Sequence, residues 1–165
     1  DTTALGVLPE YSAHEGVMPV FVEGMDEPLA VAQWLAERIS EIERMVHQMP
    51  TVAVLVASES FVRPIADALS EQLESINLKA VACLEGKALG DDTDVRIFDI
   101  QHIKGLEFEA VFFVGVDTLA EMTPDLFERY LYVGATRAAT YLGMLCHKGL
   151  PEKLSSLKLR FSERW

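Results

Sequence analysis

A chain of 165 residues, half of them hydrophobic, can bury one sizeable core, so one folded domain is expected and a disordered chain is excluded. Its formal net charge of -12 argues against a domain that grips nucleic acid over a broad surface by itself. No apolar run approaches the roughly 20 residues that cross a bilayer, and no basic segment leads into a long apolar stretch at the amino terminus, so neither a membrane span nor a secretory signal is expected.

In chain order, residues 1–17 carry Gly6, Pro9 and Gly16 without periodicity and read as a linker or lead-in segment; the absent initiating Met suggests a fragment or a processed chain. Residues 18–23 read as a strand. Between Glu27 and His47, Leu35, Ile39, Ile42 and Val46 recur at helical spacing, and Met49-Pro50 is expected to end that helix. The β-branched run at 51–57 predicts a strand buried on both faces. Ser58 is placed to cap a second amphipathic helix marked by Phe61, Ile65, Leu69, Leu73 and Ile76. A strand at Leu78–Leu84 and a polar, Asp-rich loop at 85–94 follow, with Asp91, Asp92 and Asp94 expected to be solvated. Strands are predicted at Val95–Ile100 and Ala110–Val116. Thr123-Pro124 predicts a helix start running to about Ala138, and Tyr141–Cys146 a last strand. Alternating strands and helices of this kind indicate an α/β fold with a mainly parallel central sheet, in one domain over 18–150, with 151–165 as a carboxy-terminal tail. Lys148, Lys153, Lys158, Arg160 and Arg164 make that end less acidic, as a solvated face would be.

Cys83 and Cys146 each sit in an apolar run without a CxxC partner, so buried thiols in a reducing cytoplasm are expected. The four histidines lack metal-ligand spacing, and no metal site is expected. No GxxxxGK[ST] occurs, so there is no P-loop.

Two segments could carry chemistry. In 95–117 a strand gives way to Gln101-His102-Ile103-Lys104-Gly105-Leu106-Glu107-Phe108 before a second strand begins, and such polar residues are expected at the carboxy-terminal edge of the sheet, where ligands of open α/β sheets bind. Glu107, between two apolar anchors, suits a ribose hydroxyl; equally, Lys104 and Glu107 could form a plain surface pair. In 126–144, Arg137 follows Gly134-Ala135-Thr136, small residues that would allow a neighbouring surface to approach. A guanidinium there suits a phosphate; equally, it could pair with an acid at a helix end.

Together, KGLEF at 104–108 and YVGATRA at 132–138 resemble motifs V and VI of UvrD/Rep-type superfamily 1 helicases, and VAVLVASESFVRPIADAL at 52–69 is more loosely similar to their motif IV. The resemblance covers about residues 50–146. It implies a RecA-like, three-layer second motor domain lacking its own P-loop. ATP and Mg²⁺ would be held mainly by an N-terminal RecA-like domain of the same protein. Arg137 would be the catalytic arginine finger, Lys104, Gly105 and Glu107 would complete the nucleotide contact, and Gln101 and His102 would face single-stranded DNA. The chain alone would then be inactive as an ATPase, with Asp117 to Pro124 and the first 17 residues as docking sites for partner domains. Departures from the pattern are Asp99 and Gln101 where the family carries Thr and His, and Ala57 where it often carries a second arginine, the nearest here being Arg63. These departures leave open an alternative, a motor-derived regulatory or scaffolding domain that binds a protein partner. A third reading, a stand-alone nucleotide-binding domain, would need a phosphate-cradling glycine loop that the sequence lacks.

Overall fold

Six short runs rich in Val, Ala, Ile and Phe form one sheet in the computed structural model, which describes residues 17–103, 105–152, 155, 161–162 and 164–165. In chain order the elements are β1 (Val20–Val22), α1 (Pro28–Val46), β2 (Val52–Val56), α2 (Val62–Leu73), β3 (Ala80–Cys83), β4 (Val95–Asp99), β5 (Phe108–Val114), α3 (Val116–Met122), α4 (Phe127–Ala135) and β6 (Ala138–Leu145). The strand order is β1-β6-β5-β2-β4-β3, and every pairing is parallel. The expected α/β fold with a central parallel sheet is therefore what the chain adopts.

Central strand β2 shows how one short run serves both faces. Val52, Val54 and Val56 pack with Leu35 and Ile39 of α1 and Leu69 of α2, whereas Ala53 and Leu55 pack with Leu119 of α3 and Leu131 of α4. All five β2 residues are buried, so period-2 alternation of polarity is absent. The helices α1 and α2 carry the chain one way across the sheet on one face. The β4–β5 connection and α3–α4 carry it back on the other, as right-handed crossovers require.

Several element ends differ from the sequence expectation. Helix α1 closes at His47, in the left-handed conformation with φ 59°, whose N–H donates to the Glu43 carbonyl at 2.8 Å. It therefore stops before Pro50 can act. Ser58 does not cap α2; its hydroxyl pairs with that of Ser60 at 2.8 Å, and a 3₁₀ turn at Glu59–Phe61 leads into the helix. The helix expected from Thr123 to about Ala138 is the shorter α4, and α3 precedes it at Val116–Met122, where no helix was expected. Thr123 ends α3, its N–H and hydroxyl both donating to the Leu119 carbonyl at 2.9 and 3.0 Å. The second helix starts only at Phe127. The loop at 85–94 is pinned: Asp94 is buried and accepts the Asp91 N–H at 2.9 Å, while Arg96 donates to the carbonyls of Leu89 and Gly90.

Both cysteines are buried, and burial pushes the Cys83 thiol above its ordinary range. Among the described residues no helix is long and apolar enough to cross a membrane. Of the segment expected as a tail, Phe161 stands edge-on to Phe21, Ser162 bridges to Val20, and Trp165 packs on Phe112 and Tyr141 while its indole N–H donates to the Met18 carbonyl at 2.8 Å. Residues 1–16 lie outside the described residues.

Asp117 closes the carboxy-terminal edge of the sheet. Its buried carboxylate accepts the backbone N–H groups of His147 and Lys148 at 2.9 and 2.8 Å, tying the start of α3 to the residues after β6. Removing it strands two donors. Asp117→Ala is expected to lower the unfolding free energy by about 2–3 kcal/mol and Asp117→Asn by less, since one carbonyl oxygen remains. Urea denaturation of the three proteins checks the order.

Candidate functional site

The residues singled out from sequence fall on two opposite edges of the sheet. β4 ends at Asp99, level with Val56 at the end of β2, whereas Ala110 of β5 is level with Val52 at its start. The eight residues 100–107 must therefore carry the chain back along the strand direction before β5 can begin. Ile100 and Ile103 are buried in the core beneath α4 and anchor this return. Gln101 and His102, both exposed, lie at the carboxy-terminal edge where the return starts. Gly105 and Glu107 lie at the amino-terminal edge where it ends. The expectation that Glu107 sits at the carboxy-terminal edge is thus overturned, because a parallel β5 can only be entered from the other side. Gly105 takes φ 67°, with nothing within 4 Å of where a Cβ would stand, so its value there is conformational. Lys104 lies outside the described residues.

Glu107 and Arg137 are neighbours at this amino-terminal edge. Each immediately precedes a strand; Phe108 and Ala138 are paired in register, and the Phe108 N–H donates to the Arg137 carbonyl at 2.9 Å. Adjacent parallel strands lie about 4.8 Å apart, so the backbones of the two residues stand about one strand spacing from each other. A register irregularity follows at once, between Phe108 and Ala110 of β5, where Ala110 pairs with Tyr141. Bulges of this kind sit at sheet rims and re-aim side chains. Glu107 is exposed and Arg137 half-buried.

The Arg137 guanidinium is unusual in its bonding. Its Nε is shut from solvent with no hydrogen-bond partner among the described residues. The end of α4 is already satisfied without it: the Thr136 N–H donates to the Tyr132 carbonyl at 3.0 Å and its hydroxyl to the Val133 carbonyl at 3.0 Å. Pairing of Arg137 with an acid at the helix end, one reading of the spacing, is not formed among the described residues. An unmet buried donor of this kind costs about 1–3 kcal/mol, which an anionic acceptor from outside would offset.

The other sequence candidates sort clearly. Asp99 does not face out toward a strand; it is buried, and its carboxylate accepts the Gln101 N–H at 2.9 Å, capping the 3₁₀ turn Ile100–His102. Burial holds its carboxyl above the usual carboxylate range, the nearby Glu59 charge adding to the effect while the Gln101 N–H and His102 oppose it. Ala57 is buried at the end of β2, and Arg63 lies exposed in the first turn of α2, on the edge opposite Arg137. A cavity of about 310 Å³ opens at the carboxy-terminal ends of β2 and β5, the point where the connections diverge to opposite faces. It is largely apolar, lined by Val56, Ala57, Phe61, Ile65 and Val114 among others, and offers no phosphate cradle. Sequence reading missed one grouping altogether: Glu59, Asp99 and His102 converge at this edge from two connections. The separation of 59 from 99 along the chain gave no spacing signal.

The all-parallel six-stranded sheet is the RecA-like α/β fold expected from the sequence. Residues 94–145, which contain both the return segment and the α4–β6 segment, match the model of the UvrD-like helicase C-terminal domain family. A solved structure described as the C-terminal domain of a "possible DNA helicase" from Lactobacillus plantarum WCFS1 superposes with a TM-score of 0.67 at 17% identity, over 94% of this chain and 91% of that one. No curated protein sequence matches. The resemblance read from KGLEF and YVGATRA is borne out by this family match, which spans both segments.

Gly134 within the second motif has an internal reason to be small. A Cβ there would meet Phe113, Leu55 and Ile100 side-chain atoms at 2.9–3.1 Å, so the glycine lets α4 approach its own sheet. The sequence expectation, room for a neighbouring surface, is thereby corrected. Alanine would be partly compensated by roughly 1 kcal/mol of better helix propensity. Gly134→Val is expected to cost about 3 kcal/mol through overpacking. A valine variant as stable as the parent in urea melts would restore the idea of a gap kept for a partner.

Proposed function

We propose that this chain is the second motor half of an ATP-dependent superfamily 1 DNA helicase or translocase, completing a nucleotide site whose phosphate-binding half lies on an N-terminal RecA-like domain of the same protein. The observation that carries this reading is the buried, partnerless Nε of Arg137 beside the exposed Glu107 at one sheet edge. Such a guanidinium is a fixed set of donors awaiting an anion, and a transferring γ-phosphoryl group is one whose charge a positioned Arg stabilises. Glu107 would accept a hydrogen bond from the ribose, with Lys104 and Gly105 shaping the same loop. Mg²⁺ would be held by the partner domain, since Glu107 is the one acid this reading assigns to the nucleotide at this edge. The segment 100–107 runs without a break from Gln101 and His102, read as facing single-stranded DNA, to Glu107 at the nucleotide. Anchored by Ile100 and Ile103, it is the physical link through which nucleotide state would alter strand contact.

A second reading is a motor-derived regulatory or scaffolding domain whose ligand is a protein. It is favoured by Ala57, buried where a second arginine often stands, and by the net charge of -12. Titrating the full-length protein with single-stranded DNA separates the two: stimulated ATP turnover supports the motor, and none at any DNA length supports the scaffold.

In the full-length protein, Arg137→Ala is expected to lower kcat for ATP by about 10³-fold or more, the scale of other arginine fingers, while nucleotide binding stays near the parent value. Steady-state turnover and equilibrium binding of a fluorescent ATP analogue measure the two. Turnover unchanged by the substitution would defeat the assignment.

A further inference from the structure

The carboxy-terminal edge carries a second group of chemistry-bearing side chains, remote from the Arg137 edge, and His102, read above as facing single-stranded DNA, is one of them. His102 Nδ1 stands 3.5 Å from Glu59 Oε1 and 3.8 Å from Asp99 Oδ2. One donor atom from each of the three residues falls within 4.8 Å of the others. These separations are long for a hydrogen bond. They are close to the edge of a tetrahedron around an ion with bonds of roughly 2.0–2.2 Å, which is about 3.4 Å.

Each carboxylate is held so that one oxygen turns toward the imidazole. Glu59 Oε2 accepts the backbone N–H of Glu85 at 2.7 Å, leaving Oε1 facing the group, buried and without a hydrogen-bond partner among the described residues. Asp99 Oδ1 accepts the Gln101 N–H at 2.9 Å, leaving Oδ2 toward His102. Backbone donors that fix the non-ligating oxygen are the outer-shell support that metal carboxylates use. Two carboxylates so arranged repel each other when both are charged, and a cation between them removes that repulsion.

We propose that Glu59, Asp99 and His102 form a binding site for one divalent cation of the zinc class, clamping the β2–α2 connection to the β4–β5 return. The ligand set is one imidazole and two carboxylates, with no thiolate, and three protein ligands leave a fourth position. Asp99 is 5% exposed at its side chain, whereas Glu59 and His102 are 35% and 44% exposed. The fourth position therefore opens to solvent, where water or an oxygen of a ligand can complete the shell.

Calorimetric titration of ZnCl₂ into the metal-stripped chain at neutral pH tests this. One equivalent is expected to bind, and His102→Ala and Asp99→Asn are each expected to weaken binding by about tenfold or more, the scale seen when support for a metal site is lost. His102 is an exposed side chain, so its alanine variant should keep the parent's thermal unfolding midpoint without zinc while losing the zinc-induced rise. Zinc binding with unchanged affinity in His102→Ala would overturn the site, as would no binding by the parent at millimolar zinc.

Discussion

Every strand of this sheet points the same way, so each connection must carry the chain back across a face before the next strand can start. That single constraint organises the molecule. It splits the surface into two edges with different chemistry: the amino-terminal edge, where residues arrive at strands, and the carboxy-terminal edge, where they leave. Glu107 and Arg137 arrive at neighbouring strands and are brought together by the β5–β6 ladder through the Phe108 to Arg137 hydrogen bond. Glu59, Asp99 and His102 leave neighbouring strands and are brought together by the β2–β4 ladder.

The segment 100–107 belongs to both edges. A crossover without a full helix is short, and here two buried isoleucines fix it beneath α4, which itself lies close to the sheet because residue 134 has no side chain. Displacing α4 would move the segment that carries Arg137 and the floor on which the return segment rests. This packing joins the two edges through one contiguous set of buried side chains. In a two-domain motor, that is the property that would let a change at the nucleotide reach a strand on the far side.

Charge is distributed to match. The chain is acidic overall, yet three of its acids are consumed internally: Asp94 ties a loop, Asp99 caps a turn and Asp117 holds two backbone donors. Arg137 shows the reverse case, a cation whose Nε the fold buries without a hydrogen-bond partner among the described residues. A buried donor left unmet is a cost the domain carries by itself, and one that a completing surface can relieve.

The sequence by itself determined the class of fold and the location of its two informative segments. The run at Val52–Val56 between amphipathic stretches reads as a strand buried on both faces, as it is, and that pattern is local. KGLEF and YVGATRA were legible for the same reason, and the family match at 94–145 covers both. Tertiary structure alone decided which edge each residue reaches, because that depends on the length and path of a connection rather than on spacing. It decided the break at Thr123, where a hydroxyl and an N–H converge on one carbonyl, and the use of Gly134 against the sheet. It also decided the meeting of Glu59 with Asp99 and His102, residues that only the pairing of β2 with β4 makes neighbours. Local periodicity is set within a few residues, whereas the partner of a side chain is set by which strands lie side by side.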